Sequence, residues 1–330
     1  MRLFKNFFNQ RKTISFNMKI KNTSWGGGNQ FLKNLVNYLN SNNFNVDYKL
    51  SKHTDLAFFV NSKGMGQKGS NLTFNYDDLI KLKKIKPSIK CIQRINDTDE
   101  HRKSNYVNKN FSTVNKIADY SVFVSDWVLN YHSNLWFDKN KKHKVINNQV
   151  DQNIFFPPKN NSNGQITTYR IVTHHFSTNI NKGFSSYKIL DEYIYEKKLE
   201  NTELHIVGNV PDDIIWKSAN LHGLMKGEKL ANFLRSCHIY ISGSQYEASA
   251  MHWKEGVACG LPLLYSVSGG EIADNGNKYG LAFDGKNDML NSIEIIKNNY
   301  RNYQKKIFEN QSEISMTEEY LKIINKLLKL

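Results

Sequence analysis

Glu247 and Glu255 are two carboxylates that stand eight residues apart in the segment YEASAMHWKEGVACGLP, residues 246–262. An α-helix turns about 100° per residue, so on one helix the two side chains share a broad face about two turns apart. The residues between them favour a helix, and Gly260 followed by Pro262 ends it. Two carboxylates on one face can orient the hydroxyl groups of a ligand, or they can simply face solvent. The spacing alone leaves both interpretations open.

Short apolar stretches flank this predicted helix on both sides. HIYISGS before it and LPLLYSV after it predict strands, and the second is followed by Ser268, Gly269 and Gly270. A strand, a helix, a strand and a Gly-Gly turn in that order predict a ligand site at the carboxyl edge of a parallel sheet. The glutamates and the glycine turn are therefore expected to lie together.

A lysine in the segment NINKGF offers positive charge to such a site. Lys182 and Gly183 follow the predicted strand in ITTYRIVTHHFST and open the predicted helix FSSYKILDEYIYEKKL. The start of a helix has free N–H groups and a partial positive charge, so it suits a phosphate group. His174 and His175 end the same strand, where they either line the site or are satisfied within the strand.

Three glycines near the beginning of the chain are a second candidate for ligand contact. MKIKNTSW, residues 18–25, predicts the first strand, and Gly26, Gly27 and Gly28 predict a loop before the helix NQFLKNLVNYLNSN. A glycine loop lets the backbone approach a ligand, or it is a plain tight turn. The spacing is not GxGxxG, so a dinucleotide-binding fingerprint is not met.

Charged residues crowd the end of another predicted strand, IKCIQ. Arg94 and Asp97, with Asp99, His101 and Arg102 close behind, stand in the segment RINDTDEHRKSNYVNKN. At the carboxyl end of a parallel strand such side chains can contact an acceptor substrate. The alternative is a solvated loop.

The composition limits the class of protein. At 330 residues, with 39% hydrophobic and 12% aromatic side chains, the chain can bury two cores, and global disorder is not expected. No stretch approaches the roughly 18 apolar residues of a transmembrane helix. The three cysteines, Cys91, Cys237 and Cys259, lie far apart without CxxC spacing. This usage fits a reducing, cytoplasmic location and neither a disulfide framework nor a zinc site.

The formal net charge of +15 is compatible with three kinds of partner: nucleic acid, an anionic membrane surface, or an anionic substrate such as a nucleotide diphosphate. The Lys and Arg residues are spread along the whole chain, and no zinc-finger spacing, RNP-type aromatic strand or basic heptad array is visible. Nucleic acid binding is therefore not expected.

Strand and helix patterns alternate along both halves of the chain, which predicts an α/β fold of two Rossmann-like domains with parallel sheets. We expect an extension over residues 1–17, a first domain over 18–155, a second over 156–310 and a last helix over 311–330. The extension mixes phenylalanines with basic residues and lacks the pattern of a secretory signal. It is either a peripheral anchor at the inner face of a membrane or a disordered or packed extension.

The segment from Glu247 onward resembles the glutamate-x7-glutamate signature of the group-1 (family-4-type) glycosyltransferases, which have the GT-B fold. The resemblance continues through Ala258-Cys259-Gly260-Leu261-Pro262, Gly269-Gly270-Glu271, Asn275-Gly276 and Gly280-Leu281. It is dense in the second half of the chain and rests on the glycine and RIND segments in the first. SWGGGNQFL, RIND and THHFSTNINKGF together are similar to a bacterial and viral subgroup of these enzymes, a similarity that names no acceptor.

This resemblance implies a retaining glycosyltransferase that uses a nucleotide-sugar donor and an unidentified acceptor, which is a glycan, a lipid or a small molecule. It implies two Rossmann-like domains whose sheets face across a cleft. It also implies that the last helix crosses back onto the first domain and that Gly27 and Gly28 face the cleft. Arg94, Asp97 and His174 are the expected cleft or acceptor contacts.

The resemblance also assigns the donor contacts to the second half of the chain. It implies that Lys182 contacts the donor diphosphate, that Glu255 bonds the ribose hydroxyls and that Glu247 faces the sugar. Further expected donor contacts are Gly183, Gly208, Ser249, Ala250, Met251, Gly269 and Gly270.

The chain departs from the family pattern at two places. Ser177 stands where an arginine is usual, so phosphate binding would rely on Lys182, the glycine amides and another cation. Ala248-Ser249-Ala250 stands in place of the usual Pro-Phe-Gly, which leaves the identity of the sugar open.

No DxD pair lies in a turn after a strand, so we expect no metal and no other cofactor. The alternative to an enzyme is a non-catalytic nucleotide-sugar or polyanion-binding protein on a GT-B scaffold, against which the intact Glu247, Glu255 and Lys182 argue. A phosphorylase would need a pyridoxal lysine context and a longer chain. The donor sugar, the base, the acceptor and the oligomeric state do not follow from the sequence.

Overall fold

The computed structural model describes residues 11–21, 26–62, 72–158, 165–309 and 315–330. These residues form two compact units. The first unit comprises the described residues up to Val124, with Leu129–Ile146 and Ser315–Leu330, and the second comprises Ser125–Val128 and the described part of Asn147–Ile314. Each unit is built on one six-stranded sheet in which neighbouring strands pair in parallel.

The sheet of the first unit has the strand order β2-β1-β3-β4-β5-β6. Its strands are β1 (Thr13–Phe16), β2 (Asn45–Asp47), β3 (Leu56–Phe59), β4 (Lys90–Ile95), β5 (Tyr120–Phe123) and β6 (His143–Val145). The helices between these strands along the chain are α1 (Gly26–Ser41), α2 (Tyr76–Ile85), α3 (Asp99–Arg102), α4 (Val107–Asn115) and α5 (Asp126–Ser133).

The sheet of the second unit has the strand order β12-β11-β10-β7-β8-β9. Its strands are β7 (Tyr169–His175), β8 (Thr202–Gly208), β9 (Asn220–His222), β10 (Ile239–Ser242), β11 (Leu263–Ser266) and β12 (Gly280–Phe283). Its helices are α6 (Phe184–Tyr195), α7 (Gly227–Arg235), α8 (Met251–Ala258), α9 (Glu271–Asn275), α10 (Gly285–Asn298) and α11 (Tyr300–Glu309).

A last helix, α12 (Met316–Leu328), belongs to the first unit. Its buried Tyr320 and Ile324 join the apolar side chains of α1 and one face of the sheet in a single core cluster. Phe58 of β3 lies on this face, and its neighbour Phe59 lies on the other face in a second cluster with α2 and α4. Both faces of the sheet are covered, which explains why β3 is apolar throughout rather than alternating.

The sheet of the second unit is also covered on both faces, as the alternating side chains of β7 show. Ile171 packs in a cluster with α6 and α10, whereas the next residue, Val172, packs in a cluster with α7, α8 and α11. Successive side chains of a strand point to opposite faces. His174 therefore lies on the face covered by α8, and His175 lies on the face covered by α6.

The first strand differs from its prediction. The structure places β1 at Thr13–Phe16, whereas Met18 in the predicted strand makes only an isolated bridge with Leu72. The reason is position in the sheet: β1 pairs with strands on both sides, and Ile14 and Phe16 are fully buried. The alternating lysines of MKIKN cannot be covered on both faces.

The predicted extension is accordingly wrong for residues 13–16, which are β1. The remaining membrane-anchor interpretation depends on residues 1–10, which lie outside the described part of the chain. No helix among the described residues is long and apolar enough to cross a bilayer.

The three glycines of the first unit also differ from their prediction. Gly26, Gly27 and Gly28 form the first turn of α1 rather than a loop before it, and residues 22–25 lie outside the described part of the chain. The first N–H groups of a helix have no partner within it, so these glycines contribute a helix amino terminus instead of a flexible turn. A Cβ at Gly28 would meet no atom of the described residues within 4 Å.

Candidate functional site

The predicted donor residues of the second unit follow three neighbouring strands at the carboxyl edge of its sheet. Lys182 ends the short 3-10 turn Ile180–Lys182 after β7, Glu247 follows β10, and Gly270 follows β11. β10 lies between β7 and β11 in the sheet, so the three connections emerge side by side. Ligand sites in open parallel sheets lie at this edge.

Glu247 does not share a helix with Glu255, so the prediction of one helical face is wrong. Helix α8 begins only at Met251, and Glu247 instead forms an isolated parallel bridge with Gly270. The backbone N–H of Glu247 donates to the Gly269 carbonyl at 3.2 Å, and its own carbonyl accepts from the N–H of Glu271 at 2.8 Å. These long-range backbone bonds override the helix propensity of the alanines that follow.

The loop between Glu247 and α8 is held from outside as well. The Ser125 hydroxyl donates to the Ala248 carbonyl at 2.6 Å, and the Asn148 side-chain amide donates to the Ser249 carbonyl at 3.2 Å. Ala250 is the extended residue that precedes the helix, and it is buried. The predicted contacts Ser249, Ala250 and Met251 therefore lie on this fixed loop and at the start of α8.

Gly270 is a glycine because the bridge to Glu247 requires it. Its φ of +68° lies in the left-handed region, which side chains with a Cβ rarely adopt. An added Cβ would lie 2.6 Å from the Glu247 carbonyl oxygen and 2.7 Å from the Glu247 nitrogen. The Gly-Gly turn predicted from the sequence thus sets the position of the Glu247 backbone.

The carboxylate of Glu247 is paired with Lys182. Nζ of Lys182 lies 2.5 Å from Oε1 of Glu247, and the two side chains are 18% and 5% exposed. Gly183 follows with a φ of +76°, and a Cβ there would lie 2.0 Å from the Gly243 carbonyl oxygen. This close approach of the β7 and β10 connections is what brings the lysine to the carboxylate.

Glu255 extends from α8 towards β7. Its Oε2 lies 2.7 Å from Nε2 of His174, which the alternation of β7 points to the same face. Nδ1 of His174 lies 3.1 Å from the hydroxyl of Tyr240 in the neighbouring strand β10. The structure therefore brings His174 to the glutamates of the second unit, and sequence reasoning missed Tyr240.

Two further histidines lie buried beside these groups. Burial lowers the pKa of His252 on α8, and the carboxylate of Glu247 opposes that shift. Burial also lowers the pKa of His175 well below its usual value, and the nearby His252 adds to this. Both imidazoles are uncharged at neutral pH, so Lys182 supplies the positive charge beside Glu247.

Lys254 and Glu271 form a second ion pair beneath the same loop. Nζ of Lys254 lies 2.9 Å from Oε1 of the buried Glu271, and Trp253 Nε1 donates to its Oε2 at 3.2 Å. Burial raises the pKa of Glu271, and Lys254 opposes this. Lys254 also donates to the Ser249 hydroxyl at 3.2 Å. The signal for this ion pair in the sequence was Lys254 itself, a basic residue that stands between Glu247 and Glu255.

The other predicted residues lie elsewhere. Gly208 ends β8, where it pairs in register with His175. Gly27 and Gly28 belong to the first unit, as do Arg94 and Asp97. Among the described residues, no three His, Cys, Asp or Glu side chains are arranged to hold a metal ion.

Arg94 and Asp97 are each 1% exposed, so the prediction that they present charge to an acceptor finds no support in this arrangement. The Arg94 guanidinium lies 4.1 Å from the centre of the Phe31 ring, and burial lowers its pKa, opposed by Tyr320 and Asp97. The Asp97 carboxylate accepts hydrogen bonds from Arg102 Nε and lies 2.6 Å from His101 Nδ1. Both side chains are therefore enclosed by the first unit's own groups.

The functional groups at the carboxyl edge of the second sheet are suited to two kinds of interaction. A lysine and the N–H groups at the starts of α6 and α8 attract a phosphate. The carboxylates of Glu247 and Glu255 accept hydrogen bonds from hydroxyl groups and stabilise positive charge on a neighbouring carbon.

Solved structures with the same fold include several glycosyltransferases. Sucrose-phosphate synthase from Thermosynechococcus elongatus matches with a TM-score of 0.67 and 12% identity, over 97% of this chain and 100% of that one. HepE from Anabaena, solved with UDP and glucose, matches with a TM-score of 0.66 and 12% identity, over 96% and 99%. A glycosyltransferase from Rickettsia africae matches with a TM-score of 0.64 and 14% identity, over 97% and 99%.

These similarities confirm the predicted fold class: the chain has the GT-B fold, with two six-stranded parallel sheets flanked by helices. No protein-family model matches the chain, and no curated protein sequence matches it.

Proposed function

We propose that this chain is a glycosyltransferase that moves a sugar from a nucleotide-sugar donor to an acceptor with retention of anomeric configuration. The supporting observation is that Lys182, Glu247 and Glu255 lie at the carboxyl edge of one sheet. HepE has the same fold, and its structure was solved in complex with UDP and glucose. Sugar transfer makes two demands that these residue types meet: negative charge grows on the leaving diphosphate, and positive charge grows on the sugar ring.

Lys182 is the proposed partner of the leaving diphosphate. An ammonium group has three N–H donors, and Glu247 uses one of them at 2.5 Å. The other two are available to phosphate oxygens, together with the backbone N–H groups at the start of α6. The Glu247 pair holds the lysine in place before the donor arrives, so less side-chain freedom is lost on binding.

Glu255 is the proposed partner of the ribose. Its Oε2 is occupied by His174 at 2.7 Å, whereas its Oε1 accepts no side-chain hydrogen bond from the described residues. A carboxylate that is oriented through one oxygen and open at the other can accept from hydroxyl groups of a bound nucleoside. Glu247, which lies nearer to Lys182, would then face the sugar.

We further propose that the reaction needs no metal ion and takes place in the cytoplasm. Lys182 and the helix amino termini supply the positive charge that a metal would otherwise bring to the diphosphate. The three cysteines are free and buried, which suits a reducing compartment. Turnover that survives excess EDTA would agree with a metal-independent reaction. Turnover that EDTA abolishes and that Mg²⁺ or Mn²⁺ restores would overturn metal independence.

The testing experiment is a binding screen of the full chain against UDP, GDP, ADP, CMP and their common sugars, by thermal shift and calorimetry. A ligand at 100 times its Kd adds about 2.7 kcal/mol of stability. We expect one base to be selected and its binding to be weakened in Glu255→Ala. The matched control is Glu196→Ala, because Glu196 is an exposed carboxylate after α6 that pairs with the exposed Lys198. Absence of any nucleotide binding would overturn the proposal.

A donor that binds is then assayed for transfer, and the anomeric configuration of the product is read by proton NMR. The same configuration as in the donor is the expected result. Inversion would contradict the retaining mechanism while leaving the donor site intact.

A further inference from the structure

Positive charge is distributed unevenly between the two units. The described residues of the first unit include 24 Lys and Arg against 11 Asp and Glu, whereas those of the second include 16 against 18. The first unit is therefore strongly basic, and the second, which holds the proposed donor residues, is close to neutral. A surface with a large excess of one charge attracts ligands of the opposite charge. A nucleotide diphosphate bound at Lys182 does not account for the charge of the first unit.

Much of this charge lies at the amino edge of the first sheet. The strands of a parallel sheet all begin at the same edge, so the segments that lead into them lie side by side. The segments that lead into β1, β3, β4, β5 and β6 contain 11 Lys and Arg against three Asp. Together they form the basic edge, which comprises residues 11–12, 51–55, 83–90, 116–119 and 134–142.

Contacts between neighbouring segments make the basic edge one continuous surface. Nζ of Lys86 donates to the Thr54 carbonyl at 2.8 Å, which joins the segments before β4 and β3. Nζ of Lys83 lies 3.4 Å from Oδ2 of Asp119, which joins the segments before β4 and β5. The basic side chains are therefore gathered on one side of the first unit.

The carboxylates of the basic edge leave most of its positive charge uncompensated. Oδ1 of Asp55 lies 3.6 Å from Nζ of both Lys12 and Lys86, so one carboxylate is shared by two lysines. Four further lysines are exposed and form no ion pair with the residues that the structure describes: Lys52, Lys84, Lys116 and Lys142. An anionic partner would neutralise them.

Two exposed apolar side chains stand among these lysines. Ile85, at the end of α2, is 80% exposed, and Leu135, between α5 and β6, is 57% exposed. A lipid bilayer matches this combination, because apolar side chains enter the boundary between head groups and acyl chains while lysines meet anionic head groups. A soluble polyanion would neutralise the lysines but leave Ile85 and Leu135 in water.

The amino-terminal segment joins the chain at the same edge. Residues 1–10 lie outside the described part of the chain, and Arg11, the first described residue, stands two positions before β1. The sequence of this segment, MRLFKNFFNQ, contains three phenylalanines and two basic residues. Basic and aromatic residues together are typical of segments that bind a bilayer surface. The point of attachment therefore favours lipid over a soluble polymer as the partner of the basic edge.

We propose that the basic edge of the first unit is a docking surface for a bilayer with anionic head groups, and that Ile85 and Leu135 enter the interface. Each Lys or Arg close to such a surface strengthens binding by roughly fivefold. Salt screens this attraction, so binding should weaken as the salt concentration rises. The inference concerns a surface away from the donor residues and does not rest on the proposed function.

The test measures binding of the full chain to lipid vesicles by flotation at about 0.1 M salt. Vesicles of phosphatidylcholine and phosphatidylglycerol in a ratio of about 2 to 1 should bind the chain, and phosphatidylcholine alone should bind it at least about tenfold more weakly. Ile85→Ser combined with Leu135→Ser should weaken binding to the mixed vesicles by about tenfold, because the apolar contact is lost. The basic-edge variant should weaken it by about 100-fold or more. This variant combines Lys52→Gln, Lys84→Gln, Lys116→Gln and Lys142→Gln.

The matched control removes the same net charge from the second unit. It combines four substitutions of exposed lysines: Lys226→Gln, Lys229→Gln, Lys278→Gln and Lys286→Gln. Binding to the mixed vesicles should be nearly unchanged in this control. A separate variant with Phe4→Ser, Phe7→Ser and Phe8→Ser measures the contribution of residues 1–10, and we expect a partial loss in it.

Binding to the mixed vesicles that is lost in the basic-edge variant and kept in the second-unit control supports the proposal. No binding to these vesicles, or an equal loss in the variant and its control, would overturn it. A loss in the phenylalanine variant with none in the basic-edge variant would assign the bilayer to residues 1–10 alone. Unchanged binding in the Ile85→Ser and Leu135→Ser variant, with dextran sulfate bound as tightly as the vesicles, would make a soluble polyanion the partner instead.

Discussion

Nζ of Lys182 lies 2.5 Å from Oε1 of Glu247, although the two residues are 65 positions apart in the chain. Both side chains are largely buried, so each charge depends on the other for neutralisation. The pair joins the connection after β7 to the connection after β10, and it therefore contributes both to the stability of the second unit and to the charge of the proposed donor site.

Lys182→Met should leave the Glu247 carboxylate buried without its partner. We expect a loss of about 2–3 kcal/mol in the free energy of unfolding. This is at the low end of the loss expected when a buried ion pair is broken, because the lysine is partly exposed. Urea denaturation measures it. The double variant Lys182→Met with Glu247→Leu should recover most of that loss without recovering transfer activity. A double variant no more stable than the single one would show that the pair contributes little.

Glu255→Gln keeps the shape of the side chain and removes its charge. Hydrogen bonds to charged groups contribute about 1.5–3 kcal/mol, so the Kd for the selected nucleotide should rise about tenfold or more. Calorimetry measures this, and Glu196→Gln serves as the control for removal of a surface carboxylate. An unchanged Kd would remove Glu255 from the donor site.

Glu247→Gln should have the opposite profile. The proposed role of Glu247 is towards charge that develops during transfer, so kcat should fall by roughly 100-fold while nucleotide Kd changes little. Steady-state transfer kinetics together with the nucleotide titration separate the two quantities. A large rise in Kd with an unchanged kcat would place Glu247 in ground-state donor binding instead.

Gly270→Ala should destabilise the second unit and displace Glu247. The left-handed φ and the 2.6 Å approach of a Cβ to the Glu247 carbonyl predict a loss of about 2–3 kcal/mol. Gly28→Ala is the matched control, because its Cβ would meet no atom within 4 Å in the part of the chain that the structure describes, and alanine favours a helix over glycine by up to about 1 kcal/mol. Equal unfolding midpoints for the two variants would contradict the strained bridge.

The stability of the first unit should depend on pH through His132. Burial lowers the pKa of this histidine from 6.5 to about 4, so the unfolded chain binds a proton in this range that the folded chain does not. Stability should therefore fall as pH drops from about 6.5 to about 4. His132→Phe should reduce that slope by up to about 1.4 kcal/mol per pH unit. Denaturant titrations at several pH values measure this slope. Identical slopes for the unaltered protein and His132→Phe would contradict the lowered pKa of His132.

Much of the architecture was predictable from the sequence because alternating strands and helices admit few arrangements. The carboxyl-edge position of Lys182, Glu255 and Gly270 followed from that alternation alone. The segment around Glu247 was mispredicted because good helix formers were read locally, whereas the bridge to Gly270 and the bonds from Ser125 and Asn148 come from residues distant in the chain.

Burial is the other property that local patterns did not reveal. Arg94 was predicted to contact an acceptor or to stand in a solvated loop, but its side chain is buried against the ring of Phe31. Tyr240 and His252 were overlooked because a single polar residue in an apolar strand or helix is commonly a satisfied core group. Their contacts with His174 arise because β7 and β10 are neighbours in the sheet. That strand order does not follow from the spacing of residues along the chain.

The return of α12 to the first unit has a consequence for synthesis. The core of the first unit includes Tyr320 and Ile324, and the ribosome makes these residues only after the whole of β7 to α11. Domains usually fold as units in the order in which they emerge. Here the core of the unit that is translated first is completed only after the unit translated second has been made, and until then α1 covers its side of the sheet without α12.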